Sequence, residues 1–326
     1  MKAFLEAVMA LPATELIAPL KRDAVRFEAI KSKKDLTKLD FTKNPEFTAK
    51  KFFFPAYETL YTYDRNEQKV VAEHPHMTGV QVLFGLRLCD LNAVKVQDAL
   101  FLRTEHPDHT YKKQRERTIL IGYYCDTIPS EHCFCSSMGL TNYYDLMFRE
   151  RADGWYLDVG TDNGTLFLAP LLKKLKLVEA SEEIPPIETP KRLETHDIDR
   201  LYDHPLWKET VENECLSCER CTTMCPTCMC FHIYDQIADD LQYGHKQRTW
   251  ESCHNIRFSR VSGDHYFRSG REQRFKHRIW HKIVYYPDVF GKVSMCTGCG
   301  RCIEHCPTTI DWVEIINTIS KEPTTK

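Results

Sequence analysis

No stretch of the chain approaches the roughly 20 consecutive apolar residues that a membrane-spanning helix needs. The most apolar segment, 3–20, is interrupted by Glu6, Pro12 and Glu15. It reads as a short amphipathic helix rather than a signal peptide, because no small-residue cleavage site follows an unbroken apolar run. The expectation is a cytoplasmic protein with no membrane attachment. Charge of one sign is missing too. The formal net charge is −2 over 326 residues, so there is no general attraction to nucleic acid or anionic lipid. There is no G-x-G-x-x-G and no Walker loop, which removes sequence support for bound NAD or ATP, and no H-E-x-x-H. The C-x3-C-x2-C spacing of radical enzymes is absent as well.

Cysteine is also absent over long stretches, with none before Cys89 and none in 136–214. The 15 cysteines fall into two groups, four in 89–135 and eleven in 215–306. Disulfide scaffolds of such density are usually short and secreted. A long chain with an odd cysteine count and no visible export signal points instead to metal or redox chemistry. Hydrophobic residues at 42% and charged residues at 28% suit a globular protein, and the length suits two domains.

The first part reads as mixed α/β. Val80–Phe84 and Ile119–Tyr124 are β-branched and aromatic runs. Leu91–Leu102 between them has helical apolar spacing, and a β–α–β order favours a parallel pair. Asp145–Glu150 and Trp155–Val159 are two more strands, joined through an Asp153-Gly154 hairpin signal. Leu166–Leu177 reads as helix. Glu182–Pro190, with three prolines among acids, reads as a linker. The expected division is 1–195, an α/β domain, and 196–326, a mostly α-helical dicluster ferredoxin-type domain. His196–Cys215 reads as helix broken by Pro205.

The chemistry is carried by a repeated run. Cys215, Cys218, Cys221 and Cys225 precede Pro226; Cys296, Cys299, Cys302 and Cys306 precede Pro307. Both read C-x2-C-x2-C-x3-C-P, the bacterial ferredoxin spacing. Thiolates at i, i+3 and i+6 converge on one iron–sulfur cube when the chain wraps it. The fourth cysteine follows a change of direction and, in two-cluster proteins, serves the other cube. The expectation is therefore two [4Fe–4S] clusters, one on Cys215, Cys218, Cys221 and Cys306, the other on Cys296, Cys299, Cys302 and Cys225. Zinc fits paired C-x2-C motifs better than a triple. The 71 positions between Cys225 and Cys296 exceed a compact ferredoxin spacer and suggest helices around the clusters.

Seven cysteines remain. Cys89 and Cys125 follow the two parallel strands, so they share the sheet edge where ligand sites tend to lie, and Cys133 and Cys135 come next in a loop. These four could hold a third iron–sulfur cluster, a single iron or a zinc ion; the alternative is ordinary buried thiols. Cys228, Cys230 and Cys253 read as buried or supporting thiols, or as a further metal site completed by His232 or His254. Residues 246–282 carry ten Lys/Arg against three Asp/Glu, with Arg271, Arg274 and Arg278 on one helical face. That excess suits a solvated helix, cations that offset anionic clusters, or nucleic-acid binding, for which no recognition motif is present.

Taken together, the chain resembles the beta iron–sulfur subunit of soluble NAD(P)-linked [NiFe] hydrogenases (sulfhydrogenases) and its relative, the corresponding iron–sulfur subunit of anaerobic sulfite reductase. The resemblance is carried by Lys51-Phe52-Phe53-Phe54, Phe84-Gly85-Leu86-Arg87-Leu88-Cys89-Asp90, Glu131-His132-Cys133-Phe134-Cys135, His204-Pro205-Leu206-Trp207, Cys225-Pro226-Thr227-Cys228-Met229-Cys230 and the terminal cysteine run. The family tends to place Ala or Pro where this chain has Leu88. Asp153-Gly154-Trp155 leans to the hydrogenase branch, and Cys135-Ser136-Ser137-Met138-Gly139 to the sulfite-reductase branch. The resemblance implies a relay of single electrons between the catalytic subunit of a hydrogenase or sulfite reductase and a flavin-bearing NAD(P)H-oxidoreductase subunit, with no substrate chemistry on this chain. It also favours a metal at the N-terminal four cysteines. The rival readings are a substrate-reducing metal centre at those four cysteines and a nucleic-acid module using clusters structurally.

Overall fold

A computed structural model of the chain describes residues 1–72, 78–173, 175, 178, 186–194, 198–291 and 293–322. Its strands are β1 Thr14–Lys21, β2 Val25–Ala29, β3 Tyr57–Asp64, β4 Lys69–Ala72, β5 Val80–Leu86, β6 Thr118–Tyr123, β7 Leu146–Arg151, β8 Gly154–Val159, β9 Phe231–Ile237 and β10 Tyr243–Trp250. Its helices are α1 Lys2–Met9, α2 Leu88–Leu102, α3 His109–Glu116, α4 Asp162–Leu172, α5 Pro205–Glu214, α6 Arg220–Thr223, α7 Arg271–Trp280, α8 Tyr286–Val289, α9 Arg301–Glu304 and α10 Trp312–Ser320. Among the described residues, no helix is long and apolar enough to cross a membrane.

The first half is built on a six-stranded sheet in the order β2-β1-β5-β6-β7-β8. β1, β5, β6 and β7 run parallel, and β2 and β8 close the edges antiparallel. The alternation of strand side chains divides the core in two. Val82, Phe84, Ile121 and Phe148 face α1 and α4, packing on Phe4, Leu5, Leu168 and Leu171. Leu83, Leu120 and Met147 face Leu91 and Val94 of α2 and Tyr111 of α3. Both faces of the central strands are covered, as a parallel sheet requires.

The expected β5–α2–β6 unit and the β7–β8 hairpin are thus present. α4 starts four residues earlier than the sequence suggested, capped by the Thr161 hydroxyl accepting from Gly164 N–H; positions 174, 176 and 177 of the expected Leu166–Leu177 helix lie outside the described residues. So do 182–185 of the expected linker and 195–197. The segment after α1 is strand β1, not more helix. Pro205 starts α5 rather than breaking it: it sits in the first turn, where its missing N–H costs nothing, and His204 caps Leu206 N–H.

The second half departs from expectation. It is not mostly helical. The insert between the cysteine runs begins with the antiparallel pair β9–β10, and α7 and the short α8 are its α-helices. β10 also pairs with β3, giving a four-stranded sheet β4-β3-β10-β9 drawn from both sides of residue 195. Arg248 of β10 is buried in this joint. It forms an ion pair with Glu58 of β3 at 2.6 Å and a second with Asp108 at the start of α3. A third core, with Trp207, Phe275, Trp280, Trp312 and Ile316, packs against Cys215 of the first cysteine run and Cys296, Cys302 and Cys306 of the second.

Candidate iron–sulfur centres

The two runs have the same local build. Cys215 ends α5, and two residues with positive φ, Ser217 (51°) and Glu219 (66°), turn the chain into α6, which carries Cys221. In the second run Gly298 (66°) and Gly300 (72°) make the same turns into α9, which carries Cys302. Alternating left-handed residues point backbone N–H groups inward. Ser217 N–H thus reaches the Cys215 sulfur, Gly298 N–H that of Cys296, and Arg301 N–H that of Cys299. After each run a threonine hydroxyl stands against the fourth sulfur: Thr227 at 3.3 Å from Cys225 and Thr308 at 3.4 Å from Cys306.

The two runs meet. Cys306 lines one cavity with Cys215, Cys218 and Cys221, and Cys302 of the second run lines it too. The Cys225 sulfur lies within electrostatic reach of Cys221 of its own run and of Cys296 and Cys299 of the other. Burial dominates the thiols of the second run. It raises Cys296 to about 12 and pushes Cys299 higher still. At Cys215 burial acts in the same direction, but hydrogen bonds from His254 and Ser217 outweigh it and bring the thiol below its ordinary value. Trp312 Nε1 donates to the Cys302 sulfur at 3.4 Å.

Half of the basic excess is buried, while Arg257, Arg260 and Arg271 are exposed. Arg274, Lys276, Arg278 and Lys282 are all buried. Arg271 donates to the Cys215 carbonyl at 2.8 Å and Arg278 to the Cys221 carbonyl at 2.9 Å, while Lys282 donates to the Thr227 hydroxyl at 2.9 Å. Burial opposes the charge on Arg278, and the thiols of Cys221, Cys302, Cys228 and Cys225 favour it; Lys282 is held charged by Cys225 and Cys228 in the same way. Uncompensated buried cations are costly. Anionic thiolate-bound clusters supply the missing negative charge. Ser217 Oγ, Thr297 Oγ1 and Arg278 Nε are also buried without a protein partner among the described residues. Converging sulfurs, inward N–H groups and buried cations fit iron–sulfur cubes. No three His, Cys, Asp or Glu side chains among the described residues stand at single-ion spacing.

The N-terminal cysteines also assemble. Cys89 opens α2 and Cys125 follows β6, at the shared edge of the parallel strands. The charges of Cys133, Cys135 and Cys125 act on one another, and Cys89 feels Cys135 and Cys299. Burial, then these neighbours, raises Cys133 to about 11 and Cys135 to about 12.

What sequence reasoning missed is that this group lies against the second run. Phe134 N–H donates to Gly298 O at 2.8 Å, and the Cys133 sulfur is 3.8 Å from Cys299 O. Arg301, fully buried, pairs with Asp90 at 2.7 and 3.2 Å and faces the thiols of Cys299 and Cys89. Lys50, also buried, donates to the carbonyls of Cys228 and Thr222 and sits 4.1 Å from the Trp250 ring centroid. Neither cation carried a sequence signal beyond its place beside a cysteine or aromatic motif.

These features define a dicluster iron–sulfur protein, and residues 214–310 match the family model described as a 4Fe-4S dicluster domain. The full chain is 30% identical over 310 residues to sulfhydrogenase 2 subunit beta of Pyrococcus furiosus, covering 90% of this chain and 88% of that protein. The chain belongs to the sulfhydrogenase beta subunit family. No solved structure matches it.

Proposed function

We propose that this chain is the iron–sulfur electron-transfer subunit of a hydrogenase, relaying single electrons between the catalytic subunit of that enzyme and a flavin-bearing NAD(P)H-oxidoreductase subunit. The observation that supports this reading is that Cys306 lines one cavity with Cys215, Cys218 and Cys221. In this reading Cys215, Cys218, Cys221 and Cys306 hold one [4Fe–4S] cluster, and Cys296, Cys299, Cys302 and Cys225 the other. Cys89, Cys125, Cys133 and Cys135 hold a third iron–sulfur cluster beside the second. Bound there, such a cluster takes up or gives one electron at a time.

The rest is done by the chain. Backbone N–H groups of Ser217, Gly298 and Arg301 orient and stabilise the sulfurs. Arg278 and Lys282 offset the charge added on reduction, which raises the potential. Burial of Cys299 and Cys225 excludes water between the two sites. Cys218 is the exposed cysteine of the two runs, beside exposed Leu216, and that edge is where a redox partner approaches closest.

Anaerobic purification should give about eight iron and eight sulfide per chain from the two runs alone. Cys306→Ser should remove the same EPR signal as Cys215→Ser, and Cys225→Ser the same signal as Cys299→Ser. Stoichiometric zinc without sulfide overturns the reading. Co-purification with a nickel-bearing partner supports the hydrogenase, and a sirohaem partner overturns it in favour of sulfite reductase.

A further inference from the structure

Cys228, Cys230 and Cys253 belong to neither run nor to the N-terminal group. The β9–β10 pairing brings them together: Phe231 lies opposite Trp250, and Glu251 N–H donates to Cys230 O at 2.9 Å. The sulfurs of Cys230 and Cys253 are in hydrogen-bond contact, and Cys228 is in the same contact with Cys225. The three thiols, His281 and Lys282 line one cavity of about 370 Å³. Such a volume is about twelve times the 30 Å³ share of one liquid water.

The helix that brings His281 to this cavity is irregular there. α7 passes into a π-helical turn at His281–Tyr285 before α8 begins. Single π turns inside helices are rare and recur at functional sites. Here the turn presents His281 to the cavity. His281 lines the same cavity as the three thiols, and its ring stacks on that of His277 with centroids 5.7 Å apart. The histidines that the sequence offered are elsewhere. His232 is exposed on β9 and stacks on Tyr234, and His254 faces Cys215. Lys50, Lys282 and Arg278 surround the thiols with buried positive charge.

We infer that Cys228, Cys230, Cys253 and His281 hold a further iron–sulfur cluster, next to the one that includes Cys225. Three thiolates and a neutral imidazole leave an oxidised cube with one negative charge fewer than four thiolates do. Replacing cysteine by histidine raises cluster potentials, so this cluster is the easier of the adjoining pair to reduce. Bound there, it would serve as the acceptor side of that pair. The inference rests on the preceding reading only for iron and sulfide incorporation.

The test uses the complete complex purified without oxygen. Cys230→Ala and Cys253→Ala should each lose about four iron and four sulfide per chain, while signals sensitive to Cys215→Ser persist. His281→Cys should keep the iron, lose an imidazole nitrogen coupling in pulsed EPR, and move one midpoint potential downward. Unchanged iron in both alanine variants, alongside loss in Cys215→Ser, overturns this inference alone. So does a His281→Cys protein with the wild-type nitrogen coupling. A wild-type complex without iron overturns the preceding reading as well.

Discussion

The two cysteine runs share a spacing, a backbone trace and a following proline and threonine, yet they differ in what stands behind them. At the second run, a Cβ on Gly300 would meet His132 O at 2.5 Å, and one on Gly298 would meet the Cys135 backbone at 2.6 Å. Glycine is there because another segment of backbone leaves no room. At the first run the same left-handed turns use Ser217 and Glu219, which bear side chains at a cost of about 1–2 kcal/mol each. The arginine that follows shows the same contrast. Arg301 is fully buried on Asp90, whereas Arg220 is exposed. The first run is a ligand loop at the surface; the second is locked to the N-terminal sheet. Identical ligand spacing therefore says little about mechanical support.

The largest effect expected from this difference appears when the clusters are removed. Metal-coupled folding free energies are on the order of 10 kcal/mol, and both runs should loosen. Hydrogen exchange after anaerobic chelation should rise sharply across 215–225 and far less across 296–306; equal rises would erase the distinction. Next comes Asp90→Ala, which strands the buried Arg301 charge. It should cost about 3–5 kcal/mol in urea unfolding, against at most about 0.5 kcal/mol for Arg220→Ala. Gly300→Ala combines a left-handed backbone with a backbone clash and should cost about 3 kcal/mol, with loss of spectroscopic features of both the second run and the N-terminal site. The smallest effect is a gain: Ser217→Gly relieves a positive φ and removes a buried hydroxyl without a partner, and should stabilise by about 1 kcal/mol.

The parts of the molecule that were legible in the sequence are those set by local rules. The cysteine runs are visible because three ligands of one cube must recur every third residue. The β5–α2–β6 unit and the β7–β8 hairpin follow from apolar periodicity and a turn dipeptide. β9 and β10 were not legible. β9 is mostly exposed, and β10 carries Lys246, Gln247 and Arg248, whose burial is decided by Tyr61, Glu58 and Asp108 far away in sequence. Lys50, Arg278, Lys282 and Arg301 failed for a related reason. A charged residue reads as surface until its compensating group is known, and here the compensation comes from remote sulfurs, carbonyls and one aspartate. The meeting of Cys133 with Cys299 rests on contacts more than 160 residues apart, beyond any window-based reading.

β3 finds its central neighbour in β10, whose residues follow about 185 positions later. During synthesis the β3–β4 ribbon must therefore wait as an unpaired edge while nearly two hundred residues emerge. Contacts of such span form slowly, and an open edge invites pairing with other chains. A ribosome stalled anywhere between 64 and 243 would release a nascent chain whose sticky border has no mate. Chaperone capture of the growing polypeptide should accordingly peak over that interval and fall once residue 250 clears the exit tunnel.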